Sequence, residues 1–214
     1  MKILVTGFDP FDKETVNPAY EAVKLLPDKI CNAQIIKKEI PTVFEKGAKV
    51  VENAINEHKP DVVICVGQAG GRSCISIEKA AINLAEARIA DNEGNQPIDK
   101  AIIANGPAAY FSSLPIKAMV ENVRSHSLPS NISYSAGTFV CNDVMYRLLH
   151  FIATEYPHIK GGFIHVPYTL SQVVSKSDGI AAWDEKSIAK GLEYAIEAIV
   201  LKKQDNNSFL GTTH

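Results

Sequence analysis

The chain has 214 residues, a length that suits one domain, and 46% of them are hydrophobic, which is enough to bury a substantial core. Its formal net charge is −2, so it carries no basic footprint for nucleic acid. We therefore expect a small-molecule or peptide partner and no nucleic acid.

The amino terminus and the cysteines bear on where the protein works. The first residues carry one lysine and a short apolar run that Gly7, Asp9 and Pro10 break at once, which predicts a strand and not a signal peptide. No apolar run approaches the roughly 20 residues of a membrane span. The cysteines show neither a CxxC pair nor the Cys/His spacing of a zinc site. We expect a soluble, cytoplasmic protein with reduced thiols, no metal and no membrane partner.

Strand and helix patterns alternate along the chain. The predicted strands cover residues 2–5, 33–40, 62–66, 74–82, 132–135 and 161–167. The predicted helices begin after the N-cap Asn17, after Thr42, at Pro115, at Asn142 and at Asp184, the last running to Leu201. This alternation indicates an α/β fold, with helices on both faces of a mostly parallel sheet. We predict one domain over residues 1–214, with a polar tail at 204–214 that frays.

Two loops follow predicted strands, at the strand ends where an α/β fold places ligand contacts. The first holds Phe8 and Phe11, which are either core aromatics or the walls of a pocket for a small ring. The second, 67–72, is rich in glycine. Its glycines have the wrong offsets for a dinucleotide fingerprint, and a strand-like stretch follows instead of a helix, which disfavours nucleotide binding. Its backbone amides could still contact another ligand.

Cys141 lies where a helix is predicted to begin. Unpaired N–H groups and the positive end of the helix dipole gather there, which favours thiolate over thiol and makes this residue a plausible nucleophile. The alternative is a buried, inert cysteine, the common state of a free cysteine in proteins. We expect that inert state for Cys65, inside the apolar strand at 62–66.

Glu78 and His165 have settings that suit partners of such a nucleophile. Alternation along 74–82 puts Glu78 on a face of small and apolar residues, where a carboxylate needs a partner. A salt bridge to a lysine or arginine is the alternative for Glu78. His165 lies near the carboxyl end of a short apolar strand, and its alternative is a core histidine bonded to a backbone carbonyl. Cysteine, histidine and glutamate supply a nucleophile, a base and a group that orients the base.

The segment 86–97 is polar, turn-rich and long enough to be a functional loop. Either Arg88 and Asp91 pair to order it, or Arg88 directs its fixed positive charge into the site. The sequence leaves both interpretations open.

Motifs along nearly the whole chain form one pattern. They are Gly7-Phe8-Asp9-Pro10-Phe11, Asn17-Pro18, Gly67-Gln68-Ala69-Gly70-Gly71-Arg72, Glu78, Asp91-Asn92-Glu93-Gly94, Ala136-Gly137-Thr138-Phe139-Val140-Cys141-Asn142 and Gly162-Phe163-Ile164-His165-Val166-Pro167. This set resembles the pyroglutamyl peptidases, also called pyrrolidone-carboxylate peptidases.

The resemblance implies a cysteine peptidase that removes an N-terminal pyroglutamyl residue from peptides. It implies Cys141 as nucleophile, His165 as general base and then acid, and Glu78 as the group that orients His165. The expected substrate-binding residues are Phe8, Phe11, Asn17, Gln68, Arg88, Phe139 and Val140. The implied fold is a three-layer α/β/α sandwich around a mostly parallel, mixed sheet, in a cytoplasmic homotetramer without a cofactor. The alternatives are a catalytically inactive, ligand-binding homologue of the same fold and nucleotide chemistry at residues 67–72.

Several positions depart from the usual pattern of that family. Asp12-Lys13 replaces a common glycine pair, and Asp143 stands where histidine is frequent. Ile77 and Lys79 replace proline and arginine beside Glu78, and Ala90 replaces a proline. The charge of Asp143 suits a helix start, but it would oppose a thiolate at Cys141 if the two lay close together.

Overall fold

A computed structural model describes residues 1–174, 176–205 and 207–211. Its strands are β1 (Lys2–Phe8), β2 (Lys29–Ile30), β3 (Ala33–Ile40), β4 (Val62–Gln68), β5 (Ile75–Glu78), β6 (Ala80–Ile82), β7 (Ala109–Phe111), β8 (Ser130–Ser133), β9 (Lys160–Val166), β10 (Tyr168–Thr169) and β11 (Ala182–Trp183). Its helices are α1 (Pro18–Leu25), α2 (Lys46–His58), α3 (Ile116–Ser125), α4 (Val140–Glu155), α5 (Leu170–Val173) and α6 (Glu185–Val200). Among these residues, no helix is long and apolar enough to cross a membrane.

The central sheet has seven strands in the order β2-β3-β1-β4-β9-β5-β8. The four strands β3, β1, β4 and β9 run parallel to one another. Strand β5 runs antiparallel to β9 and parallel to β8, and β2 runs antiparallel to β3. The prediction of a mostly parallel, mixed sheet is therefore confirmed.

Helices cover both faces of this sheet. Helices α1, α3 and α6 pack on one face, against side chains such as Ile3 and Ile64. Helices α2 and α4 pack on the other face, against Leu4, Val63 and Phe163. Successive residues of a strand point to opposite faces, so a strand that is buried on both sides reads as a continuous apolar run. The result is the three-layer α/β/α arrangement.

Local signals fix most element ends where they were predicted. The Asn17 side chain accepts a hydrogen bond from Ala19 N (3.1 Å) and caps α1, with Pro18 as its first residue. The Asp184 side chain caps α6 in the same way. The predicted strand at 74–82 is instead divided at Lys79, because β6 leaves the central sheet and pairs with β7.

Part of the polar tail contacts the body of the fold. Asp205 Oδ1 accepts hydrogen bonds from the backbone N–H groups of Lys117 (2.8 Å) and Ala118 (3.0 Å) at the start of α3. Ile132 N on β8 donates to Leu210 O (3.2 Å). Residues 206 and 212–214 lie outside the described residues, and fraying of the tail stays a prediction.

Candidate active site

A buried hydrogen bond joins His165 on β9 to Glu78 on β5. His165 Nδ1 lies 2.7 Å from Glu78 Oε1, and the two residues are 4% and 0% exposed. Ser76 is the register partner of His165, so Glu78, two residues further along β5, projects to the same face of the sheet. An ionised carboxylate can only accept hydrogen bonds, so the ring donates from Nδ1 and leaves Nε2 free to take a proton.

Cys141 is the second residue of α4 and approaches the same face. A Cβ atom built on Gly67 of β4 would lie only 2.8 Å from Cys141 Sγ. Gly67 is the register partner of His165 on the neighbouring parallel strand, and opposite residues of such strands point to one face. The fold therefore brings the thiol and the imidazole to adjacent positions at the carboxyl ends of β4 and β9.

The ionisation of these groups differs from the expectation at Cys141. Burial and the charge of Glu78 raise the pKa of the Cys141 thiol to about 12, against an opposing effect of Arg72. Burial thus opposes the thiolate that the helix start favours, because the sulfur of this half-buried residue packs against Gly67 of β4. Burial also lowers the pKa of His165, although Glu78 opposes that shift. Both shifts favour the neutral forms of the thiol and the imidazole.

Glu78 has a second partner, Arg72, which the sequence did not single out as a site residue. Arg72 Nη1 donates to Glu78 Oε1 at 2.6 Å, so the carboxylate has both the histidine partner and the salt bridge that were considered as alternatives. Burial raises the pKa of Glu78, but His165 and Arg72 outweigh it and hold that pKa below its ordinary value. The available signal was an arginine at the end of a glycine-rich loop, six residues before a buried acid.

The first turn of α4 offers backbone donors beside the thiol. Its N-cap, Phe139, has no polar side chain, so the first N–H groups of the helix lack a side-chain acceptor. Asn142 is fully buried and anchors this turn: its side chain accepts from Ile82 N (3.0 Å) and donates to Ile82 O (2.9 Å) and Leu84 O (3.0 Å). The donors are thus held in place by a neighbouring segment.

The aromatic candidates lie around this helix start. Phe11 packs against Phe139, with ring centroids 6.3 Å apart. Phe139 in turn meets Phe44 edge to face at 5.4 Å. Phe44, two residues before α2, was not among the residues expected from the sequence to bind substrate. Phe8 is 2% exposed and packs on Phe163 at 6.2 Å, so its ring lies within the core cluster of this face.

The other predicted substrate-binding residues have distinct surroundings. The Asn17 amide is used within the fold, since Oδ1 caps α1 and Nδ2 donates to Asp9 O (2.9 Å). Gln68 ends β4, and its Oε1 accepts from Gln172 Nε2 (2.9 Å), which leaves the Gln68 Nε2 group to donate elsewhere. Val140 is fully buried, so only its backbone can meet a ligand.

Of the two interpretations left open for Arg88, the ion pair with Asp91 does not form among the described residues. Asp91 accepts instead from the backbone N–H groups of Phe44, Glu93 and Asn95, each at 2.9 Å, and its carboxylate orders the loop through them. Loop backbone supplies these donors at close range, so an arginine is not needed. Arg88 is exposed.

Two of the departures have a structural account. Asp12 and Lys13 adopt φ angles of 52° and 64°, the left-handed conformation that glycine takes without strain. Asp143 is buried, accepts from Glu45 N (2.9 Å) and pairs with Arg147 Nε (2.9 Å). Its charge is therefore engaged on the side of α4 that meets Glu45. No group of three or more His, Cys, Asp or Glu residues that could hold a metal ion occurs in the described part of the chain.

Comparison with known proteins gives consistent matches. A family model described as pyroglutamyl peptidase matches residues 1–202. The pyrrolidone-carboxylate peptidase of Enterococcus faecalis is 56% identical over 214 residues, covering 100% of both chains, and that of Clostridium botulinum is 56% identical over 205 residues, covering 96% of each. A crystal structure of pyroglutamyl peptidase I from Bacillus amyloliquefaciens is similar with a TM-score of 0.94 and 48% identity, covering 97% of this chain and 99% of that one. Pyrrolidone carboxyl peptidase from Thermococcus litoralis is similar with a TM-score of 0.91 and 37% identity, covering 97% and 98%.

Proposed function

The chain belongs to the pyroglutamyl peptidase family, and we propose that Cys141, His165 and Glu78 carry out its reaction. That reaction is hydrolysis of the amide bond after an N-terminal pyroglutamyl residue by a cysteine peptidase. The observation that most supports the assignment is the packing of Cys141 Sγ on Gly67, the register partner of His165, whose Nδ1 bonds Glu78.

The first half of the reaction transfers the pyroglutamyl group to sulfur. His165 Nε2 takes the proton of the Cys141 thiol as Sγ attacks the scissile carbonyl carbon, and the C–S bond forms while the carbonyl oxygen becomes an oxyanion. Glu78 accepts from Nδ1 and stabilises the imidazolium. The imidazolium then gives its proton to the leaving amine, the C–N bond breaks, and a thioester remains.

The second half repeats this sequence with water. Neutral His165 takes a proton from a water molecule as its oxygen attacks the thioester carbonyl. The C–S bond breaks, the proton returns to sulfur, and free pyroglutamate leaves. A base that starts neutral suits both halves, and burial, which lowers the pKa of His165, favours its neutral form.

Charge that develops on the carbonyl oxygen needs donors fixed in advance. The backbone N–H of Cys141 stands in the uncapped first turn of α4 and is the proposed donor, with Arg88 as a further candidate. Losing one such donor typically costs about 3 kcal/mol of transition-state stabilisation.

Recognition of the pyroglutamyl group follows from its chemistry. It is an uncharged five-membered lactam without a free amine, so its pocket should offer apolar walls and a few hydrogen bonds to the lactam N–H and C=O. We assign the walls to Phe11 and Phe139, and the hydrogen bonds to groups near Gln68 and the backbone at 139–140; Phe8, expected from the sequence to be a wall, has its ring in the core cluster instead. The contact of Phe11 with Phe139 supports this assignment.

The test is release of a fluorescent amine from a pyroglutamyl amide. We expect turnover by the reduced wild type, none by Cys141→Ser, and loss of activity on thiol alkylation. Cys31→Ser is the matched control, because Cys31 is an exposed thiol that alkylation also reaches. Cys31→Ser should keep both the activity and its sensitivity to alkylation. Binding of the amide by a folded wild type without turnover would favour the inactive, ligand-binding alternative.

Assembly and location are further proposals. We propose a cytoplasmic homotetramer, as the resemblance to the family implies. In support, the four cysteines are free thiols, as expected in a reducing compartment. Light scattering after size exclusion should give four times the 23.3 kDa mass of the chain, and a monomer at micromolar concentration would contradict the proposal.

A further inference from the structure

One oxygen of Glu78 accepts two charge-assisted hydrogen bonds. His165 Nδ1 lies 2.7 Å and Arg72 Nη1 2.6 Å from the same atom, Oε1. The other oxygen, Oε2, is buried without a hydrogen-bond partner among the described residues. Oε1 therefore receives both of these charge-assisted hydrogen bonds, and the guanidinium supplies one of them.

Arg72 also connects two segments of the site. Its backbone N–H closes the turn after β4 by donating to Ala69 O (3.2 Å), which places the side chain between that turn and β5. Its Nη2 group points toward Ser135 O (3.4 Å), in the segment that leads into α4 and Cys141. The side chain is 30% exposed, so it stands between the buried carboxylate and solvent.

Five titratable groups on different elements surround the site. They are Cys65 from β4, Arg72 from the following turn, Glu78 from β5, Cys141 from α4 and His165 from β9. The positive charge of Arg72 lowers the pKa of Glu78, of His165 and of Cys141. At Cys141 this effect opposes that of Glu78, which raises the pKa of the thiol. Arg72 thus offsets the effect of the Glu78 charge on the pKa of Cys141.

We propose that Arg72 is a positioning residue of the catalytic site, which holds the Glu78 carboxylate in line with His165 and offsets its charge at Cys141. This inference rests on the proposed function and adds a fourth residue to it. A guanidinium suits the role because its Nη1 reaches Glu78 and its Nη2 reaches Ser135, which a single ammonium group cannot do.

The experiment compares Arg72→Gln and Arg72→Lys with a matched control. Arg124→Gln is the control, since Arg124 also anchors a neighbouring strand, through Ser130 O (2.7 Å), without touching Glu78. We expect Arg72→Gln to lower kcat/KM about 10- to 100-fold, mainly in kcat. In the pH–rate profile of Arg72→Gln, the acid limb of kcat/KM should move to higher pH. The reason is that the imidazolium of His165 loses a repulsive neighbour. Arg72→Lys should regain part of kcat and keep the wild-type limb, and Arg124→Gln should stay within about twofold of wild type.

Two readouts separate this role from a merely structural one. NMR titration of the His165 imidazole should show a higher pKa in Arg72→Gln than in wild type, and it needs no turnover, so it tests Arg72 even if the protein is not a peptidase. In a Glu78→Gln background, adding Arg72→Gln should have little further effect on kcat. A folded Arg72→Gln with the wild-type imidazole titration, or additive losses in the double variant, would overturn the proposal. If Arg72→Gln does not fold, Arg72→Lys decides, because wild-type kcat there would also overturn it.

Discussion

The sulfur of Cys141 occupies the space that a side chain on Gly67 would need. A Cβ atom at position 67 would lie 2.8 Å from Cys141 Sγ and 2.8 Å from Cζ of Phe163. Contacts this short do not occur at real Cβ atoms, so the absence of a side chain at Gly67 is what lets the thiol approach β4. The requirement concerns packing and not backbone conformation, since Gly67 is not among the glycines with positive φ.

Gly67→Ala should therefore displace the nucleophile. We expect kcat to fall by about 100-fold or more with a smaller change in KM, because a displacement near 1 Å at a reacting atom has effects of that size. The rate at which iodoacetamide alkylates Cys141 should change in parallel. Gly191→Ala is the control, since its Cβ meets Ile75 side-chain atoms at 3.0 and 3.1 Å on the opposite face of the sheet. Wild-type kcat in Gly67→Ala would show that the sulfur is not held where we describe it.

The pH dependence of kcat/KM should reflect a neutral resting pair. Because burial lowers the His165 pKa below its ordinary value of 6.5, kcat/KM should rise with pH through a limb below 6.5 and then stay level through neutral pH. The thiol, with a pKa of about 12, keeps throughout that range the proton that His165 must take. A pH–rate profile on the fluorogenic amide measures the limb, and His58→Gln, at a surface histidine, should leave it unchanged. A limb above 6.5 would indicate instead a resting thiolate and imidazolium.

Gln172 should influence substrate binding through Gln68. Gln172 is 5% exposed, its Oε1 accepts from Thr169 N (3.0 Å), and its Nε2 donates to Gln68 Oε1. Gln172→Glu keeps the acceptor but loses the donor, and its carboxylate repels Gln68 Oε1. We expect the Gln68 amide to turn and KM to rise about 10-fold, with kcat less affected. Steady-state kinetics measure both constants. Gln34→Glu, an exposed change of the same chemistry on β3, should alter neither; an unchanged KM in Gln172→Glu would remove Gln68 from the binding site.

The left-handed backbone at residues 12 and 13 should limit stability. A non-glycine residue in this conformation is strained by about 1–2 kcal/mol. Substitution by glycine relieves this strain, but glycine loses more backbone entropy on folding, which offsets part of the stabilisation. Lys13→Gly should therefore raise the free energy of unfolding by about 0.5–1 kcal/mol, measured as a higher urea midpoint at unchanged slope. Lys49→Gly, an exposed position inside α2, should lower it by about 1 kcal/mol. A Lys13→Gly protein that is less stable than wild type would contradict the claim that Lys13 is strained.

Structural features that depend on interactions within a few residues could be predicted from the sequence. The N-cap Asn17 followed by Pro18, the strand Ala33–Ile40 and the start of the last helix at Asp184 all lie where the pattern predicted them. Each depends on a neighbour only two or three residues away or on a repeat along one strand, so no tertiary information is needed.

Features that depend on contacts between distant segments could not be predicted from the sequence. The bond of Arg72 to Glu78 depends on how the turn after β4 folds back over β5. The thiol pKa depends on how deeply α4 packs against β4, and rules about helix position contain no measure of that burial. The chemistry of Glu78 and His165 suggested that they could pair, but their hydrogen bond depends on the register of β5 and β9.

The anchoring of Asn142 determines when the backbone N–H donors at the start of α4 become ordered. A helix start normally frays, and its N–H groups then point in varying directions. Here the buried amide of Asn142 joins the first turn of α4 to Ile82 and Leu84, sixty and fifty-eight residues earlier in the chain. The donors proposed for the carbonyl oxygen therefore become ordered once, when the chain folds, and need not be ordered again in each turnover.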